Sequence, residues 1–188
     1  MIVTQKKTYS FEEYLAYHDD TDLKYELFNG ELIPMPPASG IHALIMVFLY
    51  DIFKAEIQRL GLNWLAIPNS VGVRTAERKS RIPDLVILSE IQRESIRTMS
   101  SAVLESSPIL AVEIVSEGNP QDDYRYKRSE YAVRGIPEYW IVDPIKSKIS
   151  ILLLVEGFYE RTEFTGNQTI LSETFPELTL TVEQILAA

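Results

Sequence analysis

Asp84 follows Pro83 at the mouth of the apolar run Leu85-Val-Ile-Leu88, and Glu113 interrupts a second such run, Leu110-Ala-Val-Glu-Ile-Val115. A lone carboxylate buried in an apolar strand costs several kcal/mol unless a cation or hydrogen-bond donors compensate it. If the two strands are neighbours, Asp84 and Glu113 point to one side of a sheet and can share a hard divalent cation. Oxygen ligands with water suit Mg2+ or Mn2+ rather than zinc. The segment Asp122-Asp-Tyr-Arg-Tyr-Lys127-Arg-Ser-Glu-Tyr131 comes next as a helix, with Tyr124, Lys127 and Tyr131 on one face. It can lay the Lys127 ammonium over the same spot. Two carboxylates, a strand carbonyl and an ammonium are what cation-assisted phosphodiester hydrolysis requires.

The elements that must position these groups follow from patterning. Ser10-Phe-Glu-Glu13 fits a capping box and opens a short helix to about Tyr17. Two extended runs, Lys24–Phe28 and Glu31–Met35, flank Asn29-Gly30, a strong hairpin signal. Helical spacing of Leu44, Val47, Phe48, Ile52, Ile57 and Leu60 predicts a long helix over Ile41–Leu60 that stops at Gly61. Strands are predicted at Asn63–Ile67, Val71–Arg74, Asp84–Leu88 and Ile109–Val115. Ser89–Ser107 reads as a short helix with a mobile loop, and Asp122–Val133 as a helix ended by Gly135. Three strands follow (Glu138–Val142, Lys148–Val155, Phe158–Phe164), then a short helix capped by Thr181. The sum is a mixed α/β fold, one central sheet flanked by helices.

Composition narrows the classes. The 188 residues carry 46% hydrophobic and 24% charged side chains, an ordinary globular balance expected to form one domain over residues 1–188. No cysteine excludes disulfides, thiolate zinc sites and thiol nucleophiles, and two histidines, His18 and His42, exclude a multi-histidine metal centre. Eighteen Lys and Arg against 27 Asp and Glu give a net charge of −9. That opposes coating of nucleic acid by charge alone, but not a site that meets phosphate through a bound cation. No leader-like apolar stretch or membrane-length run is present, so a cytoplasmic protein without membrane contact is expected.

Pro83-Asp84, twenty-eight intervening residues and then Glu113-Ile-Val resembles the PD-(D/E)XK nuclease signature, with Val115 where that signature has lysine. The wider pattern is similar to the bacterial Uma family of restriction-endonuclease-like proteins. It includes Tyr25-Glu-Leu-Phe-Asn-Gly-Glu-Leu32, His42, Pro83-Asp84, Val112-Glu-Ile-Val-Ser116 and Lys127. It is completed by Tyr131-Ala and the most distinctive run, Gly135-Ile-Pro-Glu-Tyr-Trp-Ile-Val-Asp-Pro144. The likeness covers roughly residues 10–165. It implies a restriction-endonuclease-like core, a Mg2+ or Mn2+ site and a nucleic-acid substrate, with DNA favoured. It makes Asp84 and Glu113 the metal-binding carboxylates, with the Ile114 carbonyl beside them. Glu26 would hold a metal-linked water or second metal, and Lys127 would stand in for the absent strand lysine and position the attacking water. Because duplex cleavage needs two active sites or two turnovers, a homodimer is expected.

Plainer readings stand beside these. Asp84 can be a strand-end cap, Glu26 an ordinary strand glutamate, Lys127 a solvated helix lysine. The basic run Arg74-Thr-Ala-Glu-Arg-Lys-Ser-Arg81 is either a phosphate-approach loop or a solvated turn. Asp122-Asp123 reads as a helix start that meets the macrodipole favourably. The competing function is a non-catalytic nucleic-acid-binding or interaction protein on the same scaffold, favoured by the −9 charge and by Val115.

Overall fold

The computed structural model describes residues 7–118 and 121–188. Part of the N-terminal segment weighed as a leader, residues 1–6, lies outside the described residues. Helix α1 (Phe11–Leu15) carries the predicted capping box from Ser10 and Glu13. Strands β1 (Tyr25–Phe28) and β2 (Glu31–Pro34) form the predicted hairpin, with Asn29 and Gly30 both at positive φ (52° and 84°) as a tight turn requires.

Helix α2 (Gly40–Arg59) ends as predicted before Gly61, which is left-handed at φ 64°. Its buried face is Ile45, Leu49, Phe53 and Ile57, whereas Leu44 and Val47 are 57% and 54% exposed. Because apolar residues ring the N-terminal half of the helix, periodicity alone left the choice of face open.

Two mixed sheets replace the single sheet expected from the sequence. The larger comprises β3 (Leu65–Pro68), β6 (Leu85–Leu88), β8 (Leu110–Ile114), β9 (Glu138–Asp143), β10 (Lys148–Val155) and β11 (Phe158–Thr165), in the order β11-β10-β9-β8-β6-β3. Its one parallel pair is β8 with β9. The smaller sheet is β2-β1-β5-β4-β7, built with β4 (Gly72–Ala76), β5 (Lys79–Arg81) and the two-residue β7 (Val103–Leu104). The basic run 74–81 is therefore a β-hairpin, not a loop. Ser89–Ser107 holds helix α3 (Glu90–Ile96), whose capping box joins Ser89 and Gln92, and then β7, so it is more ordered than expected.

Alternation in the central strands sends side chains to two cores. Leu85, Ile87, Leu110, Val112, Ile114, Trp140 and Val142 pack with α2 and with helix α5 (Val182–Leu186) on one face. Val86, Leu88, Ala111, Val115, Tyr139 and Ile141 pack on the other face with Val73, Leu104 and Tyr131. The second core lies between the two sheets and includes helix α4 (Arg128–Arg134), which ends at the left-handed Gly135. Tyr139 and Trp140 are core residues, the Trp140 ring meeting Phe53 edge-on at 5.2 Å. Among the described residues no helix is long and apolar enough to cross a membrane.

Candidate active site

Antiparallel β6 and β8 pair Val86 with Ala111 and Leu85 with Val112, so one further step sets Asp84 opposite Glu113. By alternation Glu113 falls on the Ala111 and Val115 face of the sheet, while Asp84 sits one residue before β6, at the end of the strand pair, and both line one cavity. Asp84 is held from two sides: its Oδ2 accepts the Ile114 N–H at 2.7 Å, and its Oδ1 lies 2.9 Å from His42 Nε2. His42 reaches it from the first turn of α2, where Ser39 caps the helix.

Glu113 is 2% exposed. Its Oε1 accepts the Tyr131 hydroxyl at 2.5 Å, and its Oε2 faces Lys127 Nζ at 2.7 Å. Burial pushes the Glu113 carboxyl well above its ordinary value, against the pull of the Lys127 charge, and Asp84 adds to the rise. Burial alone would lower the Lys127 pKa, but Glu113 and Asp123 together hold the ammonium well above its ordinary value. Lys127 is therefore a charged group sealed among carboxylates.

Lys127 closes a π-helical segment, Asp122–Lys127, where the sequence predicted a regular α-helix. The wider turn separates the predicted face: Lys127 and Tyr131 both reach Glu113, while Tyr124 donates instead to Asp143 at 2.7 Å. It also turns Asp123 inward. Asp122 and Asp123 begin the helical segment as predicted, but Asp123 is 6% exposed and lies 3.0 Å from Lys127 Nζ, a burial that the sequence did not announce. Such segments recur at functional sites, and nothing in residue type marks this one in advance.

Glu26 stands on the wall of the same cavity, about 380 Å3 in volume, with Asp84, Glu113, Ile114 and Lys127. Both its oxygens are engaged, Oε2 by Arg81 Nη1 at 2.8 Å and Oε1 by the Ile82 N–H at 3.0 Å. Arg81 is 3% exposed and turns its other nitrogens to Glu130 at 2.8 and 2.9 Å. Lys79 also meets Glu130, Arg74 meets Glu105, and Arg78 donates to the Tyr9 carbonyl. Arg74, Lys79 and Arg81 thus meet carboxylates of the chain and Arg78 a backbone carbonyl, and none of the four lines the cavity that holds Asp84 and Glu113, which opposes the reading as a phosphate-approach loop.

Sequence reasoning missed Asn69 as well. It lines the cavity at a left-handed φ of 38°, gives its N–H to the Asp84 carbonyl at 2.9 Å, and has a buried Oδ1 that makes no hydrogen bond. The Pro68-Asn-Ser turn was its only signal.

The donor set suits a hard cation. Each Asp84 and Glu113 oxygen carries one hydrogen bond, which leaves it a second lone pair. Among the described residues no three carboxylate or imidazole side chains stand close enough to enclose a metal. A cation held here would need the rest of its shell from a carbonyl or water, which hard cations such as Mg2+ accept.

A mixed sheet with a paired aspartate and glutamate at one end, and an ammonium laid over them by the following helix, defines a restriction-endonuclease-like α/β protein. The chain belongs to the Uma2 family, whose description is "Putative restriction endonuclease" and whose model matches residues 11–183. The fold is shared with the crystal structure of "a putative nuclease belonging to DUF820" from Anabaena variabilis ATCC 29413. That chain is 16% identical, with a TM-score of 0.78 over 95% of this chain and 97% of that one. No protein of curated function matches the chain.

Proposed function

We propose that this protein is a Mg2+- or Mn2+-dependent endonuclease that hydrolyses nucleic-acid phosphodiester bonds, DNA being the favoured substrate. The observation that carries the reading is the juxtaposition of Asp84 and Glu113 on one cavity at the end of the β6–β8 pair, with the Lys127 ammonium 2.7 Å from Glu113. Asp84, Glu113 and the Ile114 carbonyl would hold the cation, and Glu26 would accept from a cation-bound water or serve a second ion. When bound, the cation supplies charge neutralisation at the phosphate and a more acidic water.

The chain's own groups do the rest. His42 and the Ile114 N–H fix the Asp84 carboxylate, and Tyr131 fixes Glu113. Lys127, fully protonated, donates to the attacking water or to a phosphoryl oxygen as negative charge develops there. The absence of lysine at position 115, which favoured a non-catalytic scaffold, is offset by an ammonium delivered from the crossover to the same carboxylate. A homodimer would bring two such sites to a duplex.

The test is cleavage of supercoiled plasmid, linear duplex, single-stranded DNA and RNA with Mg2+, Mn2+ or EDTA. Cation-dependent cutting that Asp84→Asn and Glu113→Gln each abolish, in variants that melt cooperatively, supports the reading. Cutting that survives either substitution overturns the site.

A further inference from the structure

Asp123 has no part in the chemistry above, yet its burial is hard to account for otherwise. A third carboxylate sealed beside Glu113 and Asp84 raises the local negative charge, and burial holds its own pKa above the ordinary value. Its Oδ1 nevertheless lies 3.0 Å from Lys127 Nζ, on the same ammonium that Glu113 contacts at 2.7 Å. The Tyr139 hydroxyl donates to the Asp123 carbonyl at 3.0 Å and so ties the π-helical turn to strand β9. That turn places Asp123 and Lys127 together, and Lys127 is itself largely buried.

Glu113 is then asked to serve two cations, the ammonium and the divalent ion. If Glu113 were the only anion beside it, the lysine would be left in a desolvated, unpaired state whenever the divalent ion drew on that carboxylate, and the cost would weaken ion binding. We propose that Asp123 is a positioning residue that holds the Lys127 ammonium over the cavity while Glu113 engages the divalent cation. The inference rests on the cation site proposed above. Asp123 acts through Lys127 and is not itself a ligand of the ion.

The experiment is a double-mutant cycle in Mn2+ affinity, read by calorimetry and by the signal of free Mn2+, on the wild-type chain, Asp123→Asn, Lys127→Met and the double variant. Asp123→Asn should weaken Mn2+ binding by about tenfold, Lys127→Met should not weaken it, and Asp123→Asn should have no effect once Lys127 is gone. Asp123→Glu, which keeps the charge, should recover most of the affinity and guards against a variant that fails to fold. If Asp123→Asn weakens binding equally in the wild-type chain and in the Lys127→Met variant, Asp123 is a ligand and the proposal is overturned. Unchanged affinity in the single Asp123→Asn variant overturns it too. If the wild-type chain binds no Mn2+, both the cation site and this inference fall. If it binds Mn2+ and couples as stated but cuts no nucleic acid, only the nuclease reading fails.

Discussion

Tyr131, on helix α4, donates its hydroxyl to Glu113 at 2.5 Å from inside the core between the two sheets. The contact orients a strand carboxylate from a helix, and it joins apolar packing to chemistry in one side chain. Tyr131→Phe keeps the ring and removes the donor. It should cost about 2 kcal/mol in urea denaturation, the range for a hydrogen bond to a charged group. Cation affinity should fall with it. Unchanged stability would mean that Glu113 does not depend on this phenol.

His42 and Asp84 form the corresponding pair on the other carboxylate, at 2.9 Å. His42→Ala leaves Asp84 with the Ile114 N–H alone. Partners of this kind are worth about 10- to 100-fold in metal affinity or activity, so Mn2+ titration should show a loss within that range. An unaltered binding curve would remove His42 from the site.

The Arg81–Glu130 pair gives a pH-dependent expectation. Burial raises the Glu130 carboxyl, but its hydrogen bonds and the charge of Arg81 overcome this and hold it below the ordinary value. A depressed carboxylate stabilises the fold fully above the unfolded glutamate pKa of about 4.3 and loses that contribution as pH falls through the lower folded value. Glu130→Gln should therefore cost about 3 kcal/mol at neutral pH, with the gap to wild type closing on acidification to about pH 3. Chemical denaturation at both pH values checks it, and a gap that is constant or wider in acid refutes it.

Gly30 is required by the turn that carries Glu26. Its φ is 84°, and an added Cβ would stand 2.9 Å from Arg78 Nη2. The side chain of Arg78 can shift, so backbone strain sets the cost of Gly30→Ala, about 1–2 kcal/mol. Thermal melts would register it as a drop in Tm without loss of cooperativity.

Local chemistry made much of this molecule legible. The Asn29-Gly30 turn, the Ser10 and Thr181 starts of α1 and α5, and the Gly61 and Gly135 stops each depend on a few adjacent residues, and each appears where patterning places it. Asp84 and Glu113 were legible as a candidate pair because carboxylates in apolar runs are expensive, whereas the pairing of β6 with β8 entered only as a condition that the structure meets. What escaped depends on distant partners. Arg81 reads as a solvated charge until Glu26 and Glu130, 55 and 49 positions away, close around it. Asp123 reads correctly as a helix start, but its burial against Lys127 depends on the strands that the helix packs over. Two sheets rather than one result from the short hairpins pairing among themselves, and no strand's own sequence announces its neighbour.

Strands β8 and β9 run parallel, so the chain between them must travel the length of the sheet before it can pair again. Val115 fills the second core at the position where a strand lysine would otherwise stand, and the ammonium rides instead on that return path. A lysine built into a strand is locked to the sheet's register and can be moved only by rebuilding the sheet. One carried on the return path can be advanced, withdrawn or rotated by a single insertion or deletion between Ser116 and Arg128, with every strand left in place.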